Sequence, residues 1–234
     1  STLDLAEYGV WLATRSRLAR PGTPMWAEVQ THLSQSVVDQ WRAFTGREAP
    51  HDTVTADQLR LLVYTALSAG PRGLYFSTRT RLDGSDAAAR QRALALELLN
   101  SELDLIEPWT ASGHLVASIS GSETESRGIV YQTDRSRLLL PYWGGRDAQF
   151  VPAQAAATGI SFTVPGVPDS HRAYELTPAG LSSVRDKKRV AGGIRVTLDE
   201  FGVSSMVVLT EDPLTQAHLQ RELRSMAPRA AQLA

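Results

Sequence analysis

Residues 23–83 alternate between strand-like and helix-like patterns, and this alternation constrains the fold more than any other feature of the chain. Apolar and β-prone runs predict strands at 24–32 and 73–78, and apolar residues at helical spacing predict a helix between them at 55–69. Strand, helix and strand in this order form a unit whose two strands lie parallel in one sheet. Polar side chains are concentrated where each strand ends, and those ends carry the chemistry in sheets of this kind.

Apolar periodicity predicts three further helices outside this unit. Thr55 and Gln58 form a capping-box arrangement at the start of the helix within it, and Pro108 is expected to end the longest of the others. The further helices are predicted at 3–20, 86–105 and 214–226. The order of elements up to residue 110 is therefore helix, strand, helix, strand, helix.

The pattern changes near residues 112–113. Short runs rich in valine, isoleucine, threonine and aromatic residues follow, and turn signals separate them. Strands at this spacing predict an antiparallel β-sandwich, so the expected fold class is α/β plus all-β with a helix at the C-terminus. The predicted strands lie at 115–120, 128–133, 137–142, 160–164, 173–176, 193–198 and 205–209.

The composition argues against several classes of protein. Lysine and arginine total 24 against 25 aspartate and glutamate residues, so the net charge of −1 favours neither a nucleic acid nor a membrane as partner. The absence of cysteine excludes disulfides and thiolate zinc sites, and the scattered histidines show no metal-ligand spacing, so we expect no metal and no cofactor. No apolar run approaches the roughly 18 residues of a membrane span.

The chain begins at Ser1 rather than methionine and shows no signal peptide. We expect the natural N-terminus to be missing, together with any targeting segment. That expectation leaves the compartment open, a periplasmic or secreted location included.

Three stretches resemble the last portion of a (β/α)8 barrel in glycoside-hydrolase-like proteins: PMWAEVQ at 24–30, AGPRGLYF at 69–76 and LLNSELDLIEPW at 98–109. The later stretches 160–167, 173–178 and 192–198 resemble the β-sandwich that commonly follows such a barrel. The resemblance implies a partial (β/α)8-barrel segment at 1–110, an accessory β-sandwich at 111–211 and a C-terminal helix at 212–234. It also implies a carbohydrate ligand. Since two βα units cannot close a barrel, it implies the missing N-terminal barrel portion of the same protein as a partner.

Glu28 is the candidate catalytic residue. It shares strand parity with Trp26 and Gln30, whereas Ala27 and Val29 point to the other face. If Ala27 and Val29 face the helices, Glu28 faces the barrel interior, where a carboxylate serves as general acid, base or nucleophile. The alternative is a structural glutamate paired with an arginine of a neighbouring strand. Glycosidases of this type use two carboxylates, and the second is not visible at a strand end here.

Residues at the strand ends and in the loops that follow are candidate substrate contacts. The side chains of Gln30 and His32 offer donors and acceptors that suit sugar hydroxyls, and Trp41, in the long polar connection 33–54, suits stacking on a sugar ring. Arg79, Arg81 and Asp83 follow the second strand and suit a carboxylated or sulfated sugar. The alternatives are an ordinary loop histidine and a solvated loop with an Arg–Asp pair.

These features favour a glycoside-hydrolase-like protein that acts on or binds a glycan, with O-glycosyl hydrolysis as the candidate reaction. The second hypothesis is a non-catalytic carbohydrate-binding or protein-interaction module. It predicts an open aromatic surface on the sandwich around Tyr131, Tyr142 and Trp143, and no cleft at Glu28. In both cases Tyr75 and Trp109 are expected in the core, since large aromatic residues more often fill cores than bind ligands.

Overall fold

The structure, a computed structural model, describes residues 5–20, 22–47, 54–144, 157–177 and 180–233. The chain divides into two compact units, Ser1–Asn100 and Ser101–Ala234. Helices and a small parallel sheet make up the first unit, and antiparallel sheets dominate the second. The fold thus combines helices with both kinds of sheet, as the sequence predicts. In the described part of the chain, no helix has the length and apolarity needed to cross a membrane.

The first unit is built around a two-stranded parallel sheet whose strands pair from Trp26↔Gly73 to Gln30↔Ser77. Three helices pack beside or follow these strands, and a fourth begins in this unit and ends in the next. The elements are α1 (Leu5–Leu18), β1 (Trp26–Gln30), α2 (Gln35–Thr45), α3 (Ala56–Leu67), β2 (Gly73–Ser77) and α4 (Ala87–Thr110). The first two residues of the helix predicted at 3–20, and residues 48–53 of the long connection, lie outside the described residues.

Buried and exposed side chains alternate along β1 as the sequence predicts. Ala27 and Val29 are fully buried, and α3 contributes fully buried Leu59 and Val63 to the core of the same unit. Thr55 begins α3 with the predicted capping box, in which its hydroxyl accepts from the backbone N–H of Gln58. One face of the sheet is therefore buried by the side chains that its period of two assigns to that face.

Helix α4 extends beyond its predicted end. Pro108 lies inside the helix, and the backbone N–H of Ala111 donates to the carbonyl of Glu107 at 2.9 Å, so helical hydrogen bonding resumes after the proline. The indole of Trp109 is buried and donates from Nε1 to Ser136 Oγ at 2.8 Å. Burial and this hydrogen bond favour the last turn strongly enough to outweigh the cost of an internal proline. Trp109 lies in the core, as expected.

The second unit contains two antiparallel sheets. The larger sheet has the order β3-β4-β5-β11-β7-β8 and the smaller the order β6-β10-β9. Helix α5 (Pro213–Leu233) completes the unit and buries Leu219 and Leu223. The strands are β3 (His114–Ser120), β4 (Ser126–Gln132), β5 (Ser136–Trp143), β6 (Ala157–Val164), β7 (Arg172–Thr177), β8 (Gly180–Ser183), β9 (Lys187–Val190), β10 (Gly193–Phe201) and β11 (Val207–Thr210).

Both sheets contribute to one apolar core. Val130 and Leu139 come from the larger sheet, and Phe162, Val196 and Phe201 come from the smaller. The ring centroids of Phe162 and Phe201 lie 6.2 Å apart in an edge-on arrangement. Residues that alternate along each strand therefore meet at the centre of the unit, which is the arrangement that stabilises packed antiparallel sheets.

Strand β9 is absent from the sequence prediction. The charge run 185–189 predicts a solvated turn, yet Lys187–Val190 forms a strand that pairs with β10. The strand lies at the edge of its sheet, where lysine and arginine side chains remain in water and discourage pairing with another chain. A charged strand of this kind carries no apolar alternation for a sequence pattern to detect.

Candidate functional site

A cleft of about 360 Å³ opens beside β1 in the first unit. Side chains from α1, from the outward face of β1, from the loop after β1, and from α2 and α3 line it. The lining residues are Tyr8, Trp11, Glu28, Gln30, His32, Leu33, Ser34, Val37, Val54 and Leu62. Glu28, Gln30 and His32, which the sequence singles out, thus share one cleft.

The loop after β1 is fixed where it leaves the sheet. The backbone N–H and the hydroxyl of Thr31 both donate to the carbonyl of Ser77 at the end of β2, at 3.0 and 2.8 Å. Three residues later, Ser34 caps α2 by accepting from the backbone N–H of Val37 at 3.4 Å. The segment that carries His32 is therefore held at both ends, which fixes the position of the imidazole beside the cleft.

His32 presents an unused hydrogen-bonding atom. Its Nδ1 is buried and has no hydrogen-bond partner within the described part of the chain. A buried polar atom without a partner costs free energy, and a ligand hydroxyl that donates to it or accepts from it recovers that cost. His32 also lines the cleft, so it is a candidate contact for a polyhydroxyl ligand.

Tyr8 ties α1 to β1. Its hydroxyl donates to the backbone carbonyl of Glu28 at 2.5 Å. Burial of the phenol raises the pKa of Tyr8 to about 12, and the nearby negative charge of Glu28 makes a smaller contribution in the same direction. The Glu28 side chain itself is exposed, so its carboxylate is accessible to a ligand in the cleft.

The sequence does not single out Tyr8 or Trp11 as site residues. Trp11 is one of the apolar residues of α1, yet 44% of it is exposed and it lines the cleft. The guanidinium carbon of Arg15, one turn later, lies 5.0 Å from the centroid of the Trp11 ring. A tryptophan followed by an arginine at i+4 was the available signal, because such a pair stacks on a helix surface.

The other three predicted contacts do not line this cleft. Trp41 lies on α2 with 45% of its surface exposed. Arg79 donates to the side-chain oxygen of Gln35 at 2.9 Å, and Asp83 forms a two-pronged ion pair with Arg81 at 2.8 and 2.7 Å. The Arg81–Asp83 pair lowers the pKa of Asp83 by hydrogen bonding to its carboxylate. The loop after β2 therefore has the solvated Arg–Asp pair of the alternative prediction.

Aromatic side chains also occupy the outward face of the sheet next to Glu28. Tyr75, the register partner of Glu28, is 57% exposed, so the expectation that it lies in the core is wrong. The exposed ring of Trp26 lies across Gly73, where an added Cβ would come within 2.7 Å of the indole. Tyr75 and Glu28 are paired neighbours on adjacent parallel strands, so their side chains lie on the same face of the sheet. That face is opposite to the one that Ala27 and Val29 bury.

The aromatic surface predicted for the second unit is not present. Tyr131 and Tyr142 are buried, and Trp143 packs against Phe201 with ring centroids 5.5 Å apart while its Nε1 donates to the carbonyl of Gly202. Strands β4 and β5 are largely buried on both faces, so even the consecutive residues Tyr142 and Trp143 are both covered. A separate, polar cleft of about 330 Å³ in this unit is lined by side chains that include Glu175, Asp199 and Glu200. No group of metal-ligating side chains occurs among the residues that the structure describes.

Comparison with known proteins shows similarity in structure only. No family model and no curated protein matches the sequence. The α-fucosidase of Thermotoga maritima matches with a TM-score of 0.50 and 11% identity, over 81% of this chain and 40% of that one. The same enzyme in complex with fucose matches with a TM-score of 0.51 and 15% identity, over 81% and 41%.

The fold is glycoside-hydrolase-like. This result confirms the predicted resemblance at the level of the fold, and at identities this low it shows nothing finer. The chain spans about two fifths of the length of the solved α-fucosidase chains that it matches.

Proposed function

We propose that this chain is the C-terminal part of a glycoside-hydrolase-like protein and that the cleft at Glu28 binds a glycan. The main support is that Glu28, Gln30 and His32 all line one cleft at the C-terminal end of β1. In folds of this class, that end of the strand is where ligands bind. The similarity to an α-fucosidase crystallised with fucose supports a carbohydrate as the ligand.

The exposed face of the first sheet supports the proposal of a partial barrel at 1–110. Trp26, Glu28 and Tyr75 all lie on that face, and two parallel strands rarely stand alone because parallel sheets are normally covered on both sides. In this proposal further strands of the same protein complete the barrel, the sheets at 111–211 form an accessory β-sandwich, and 212–234 is a terminal helix.

In the catalytic form of the proposal, Glu28 serves as the acid, base or nucleophile of glycoside hydrolysis. Such a reaction needs a second carboxylate, about 5–5.5 Å away for retention or about 6.5–9.5 Å away for inversion. Glu28 is the sole carboxylate among the described residues that line the cleft. That observation favours a second candidate function, carbohydrate binding without hydrolysis by this chain.

A glycan array followed by a hydrolysis assay tests the proposal. The array includes fucosylated glycans, and the variants are Glu28→Gln and, as a matched control, Glu123→Gln on an exposed turn of the second unit. We expect the wild type and Glu123→Gln to bind the same glycans and Glu28→Gln to bind them at least about 10-fold more weakly, in line with a hydrogen bond to a charged group. Hydrolysis lost in Glu28→Gln supports the catalytic form, and binding without hydrolysis supports the second candidate. Equal binding by both variants contradicts a site at Glu28.

A further inference from the structure

We infer that Trp11 on α1 is the stacking platform of the cleft and that the sugar it receives is uncharged. This inference rests on the proposed function, since it names the ligand class and a specificity residue of the same cleft. It goes further because it assigns binding to a helix that precedes β1 and predicts which sugars the cleft rejects.

Trp11 has the geometry of a stacking platform. The indole of Trp11 lines the cleft and remains 44% exposed, and we assign the ring face opposite Arg15 to the ligand. Arg15 lies over the ring at 5.0 Å from its centroid, and this contact restricts the rotamers of the indole before any ligand arrives. A side chain already ordered loses less conformational entropy on binding, which makes it a better platform than a free aromatic residue.

The partner that suits this platform is the C–H face of a sugar ring. The face of an indole carries partial negative charge, which attracts the weakly positive hydrogens of C–H groups. The polar residues that line the cleft, Glu28 and His32 among them, suit the hydroxyls on the ring edge. An apolar platform with polar groups beside it matches the amphipathic character of a sugar.

The charge of the cleft disfavours an acidic sugar. Among the described residues that line the cleft, Glu28 is charged and none is lysine or arginine. Arg79 and Arg81, the cations that would suit an acidic sugar, are bonded to Gln35 and Asp83. A uronate or sulfate in the cleft would bring its negative charge near Glu28, and Arg15, the cation beside the cleft, already stacks on Trp11. Like-charge juxtaposition opposes binding, so the cleft selects neutral sugars.

The experiment compares variants and sugars in ligand-observed NMR titrations. The probes are L-fucose, D-galactose and D-galacturonic acid, of which the last two differ in whether carbon 6 carries a hydroxyl or a carboxylate. The variants are Trp11→Ala, Trp11→Phe, and Trp41→Ala, which removes a tryptophan of nearly equal exposure outside the cleft, at 45% against 44%. Phe44→Ala on α2 is the control for loss of an exposed aromatic residue. Circular dichroism and thermal unfolding establish that each variant is folded.

We expect Trp11→Ala to weaken the binding of neutral sugars about 10-fold and Trp11→Phe to retain most of it, because a phenyl ring still provides a face. Trp41→Ala and Phe44→Ala should change the affinity less than about 2-fold, and D-galacturonic acid should bind at least about 5-fold more weakly than D-galactose. Equal losses in Trp11→Ala and Trp41→Ala, or a preference for the uronate, overturns the inference. Binding abolished by Glu28→Gln but kept in Trp11→Ala overturns this inference alone, whereas a wild type that binds no sugar contradicts the proposed function itself.

Discussion

The two units differ in how many of their large apolar side chains are exposed. Twelve large apolar residues are exposed in the described part of the chain, and nine of them lie in the first unit although it is the smaller one. They include Trp26 and Tyr75 on the sheet and Trp41 and Phe44 on α2, a helix without a single buried residue. In the second unit, sheet side chains of the same kinds are mostly in the core.

Apolar side chains therefore have different roles in the two units. In the second unit, aromatic and aliphatic side chains of two sheets meet each other, and their burial stabilises the fold. In the first unit, only one face of the sheet is buried, and its other face leaves aromatic rings and a carboxylate accessible. Exposed apolar groups that a fold does not need for its own core are available for ligands or partners. The first unit is accordingly where we place binding.

Truncating one phenylalanine in each unit tests this difference most directly. Phe162 is 1% exposed in the core of the second unit and Phe44 is 88% exposed on α2. We expect Phe162→Ala to lower the free energy of unfolding by about 3–5 kcal/mol, since it removes buried area and leaves a cavity. Phe44→Ala should change it by less than about 0.5 kcal/mol. Equilibrium denaturation measures both, and a large loss in Phe44→Ala would show that Phe44 is covered in solution.

A pair of glycines offers a finer comparison at the level of the backbone. Gly46 caps α2 with φ +64°, and an added Cβ there meets nothing within 4 Å; at Gly193, φ is +155° and a Cβ would lie 2.0 Å from the carbonyl oxygen of Val164. We expect Gly46→Ala to cost about 1 kcal/mol, from the left-handed conformation alone. Gly193→Ala should cost about 2–4 kcal/mol, because the neighbouring strand must also move. Equal losses in denaturant unfolding would mean that close strand packing adds nothing.

The elements that could be predicted are those whose signal is local. Ala27 and Val29 alternate with polar neighbours, so the buried face of β1 follows from a period of two. The capping box at Thr55 works the same way, because four adjacent residues contain all of its hydrogen-bonding groups.

The features that were missed depend on distant partners. Trp11 is an apolar residue of α1 that lines the cleft, and its role depends on the position of α1 beside β1. The continuation of α4 past Pro108 depends on Ser136, 27 residues beyond Trp109. Tertiary contacts of this kind outweigh local preferences and leave no pattern in the sequence near the residue that they affect.

The smallest expected effect is a titration within the cleft of the first unit. The pKa of Tyr8 is raised to about 12, first by burial and then by the Glu28 carboxylate, so the native protein holds the phenol proton above pH 10, where an unfolded tyrosine releases it. The stabilisation that follows is complete below pH 10 and is lost as the pH rises through 12. Ultraviolet titration of the wild type should contain a late phenolate ionisation that is missing from Tyr8→Phe. In Glu28→Gln its pKa should fall only part of the way toward 10, because burial remains. A Tyr8 pKa that does not respond to Glu28→Gln would place the carboxylate away from the phenol and weaken the case for one shared cleft.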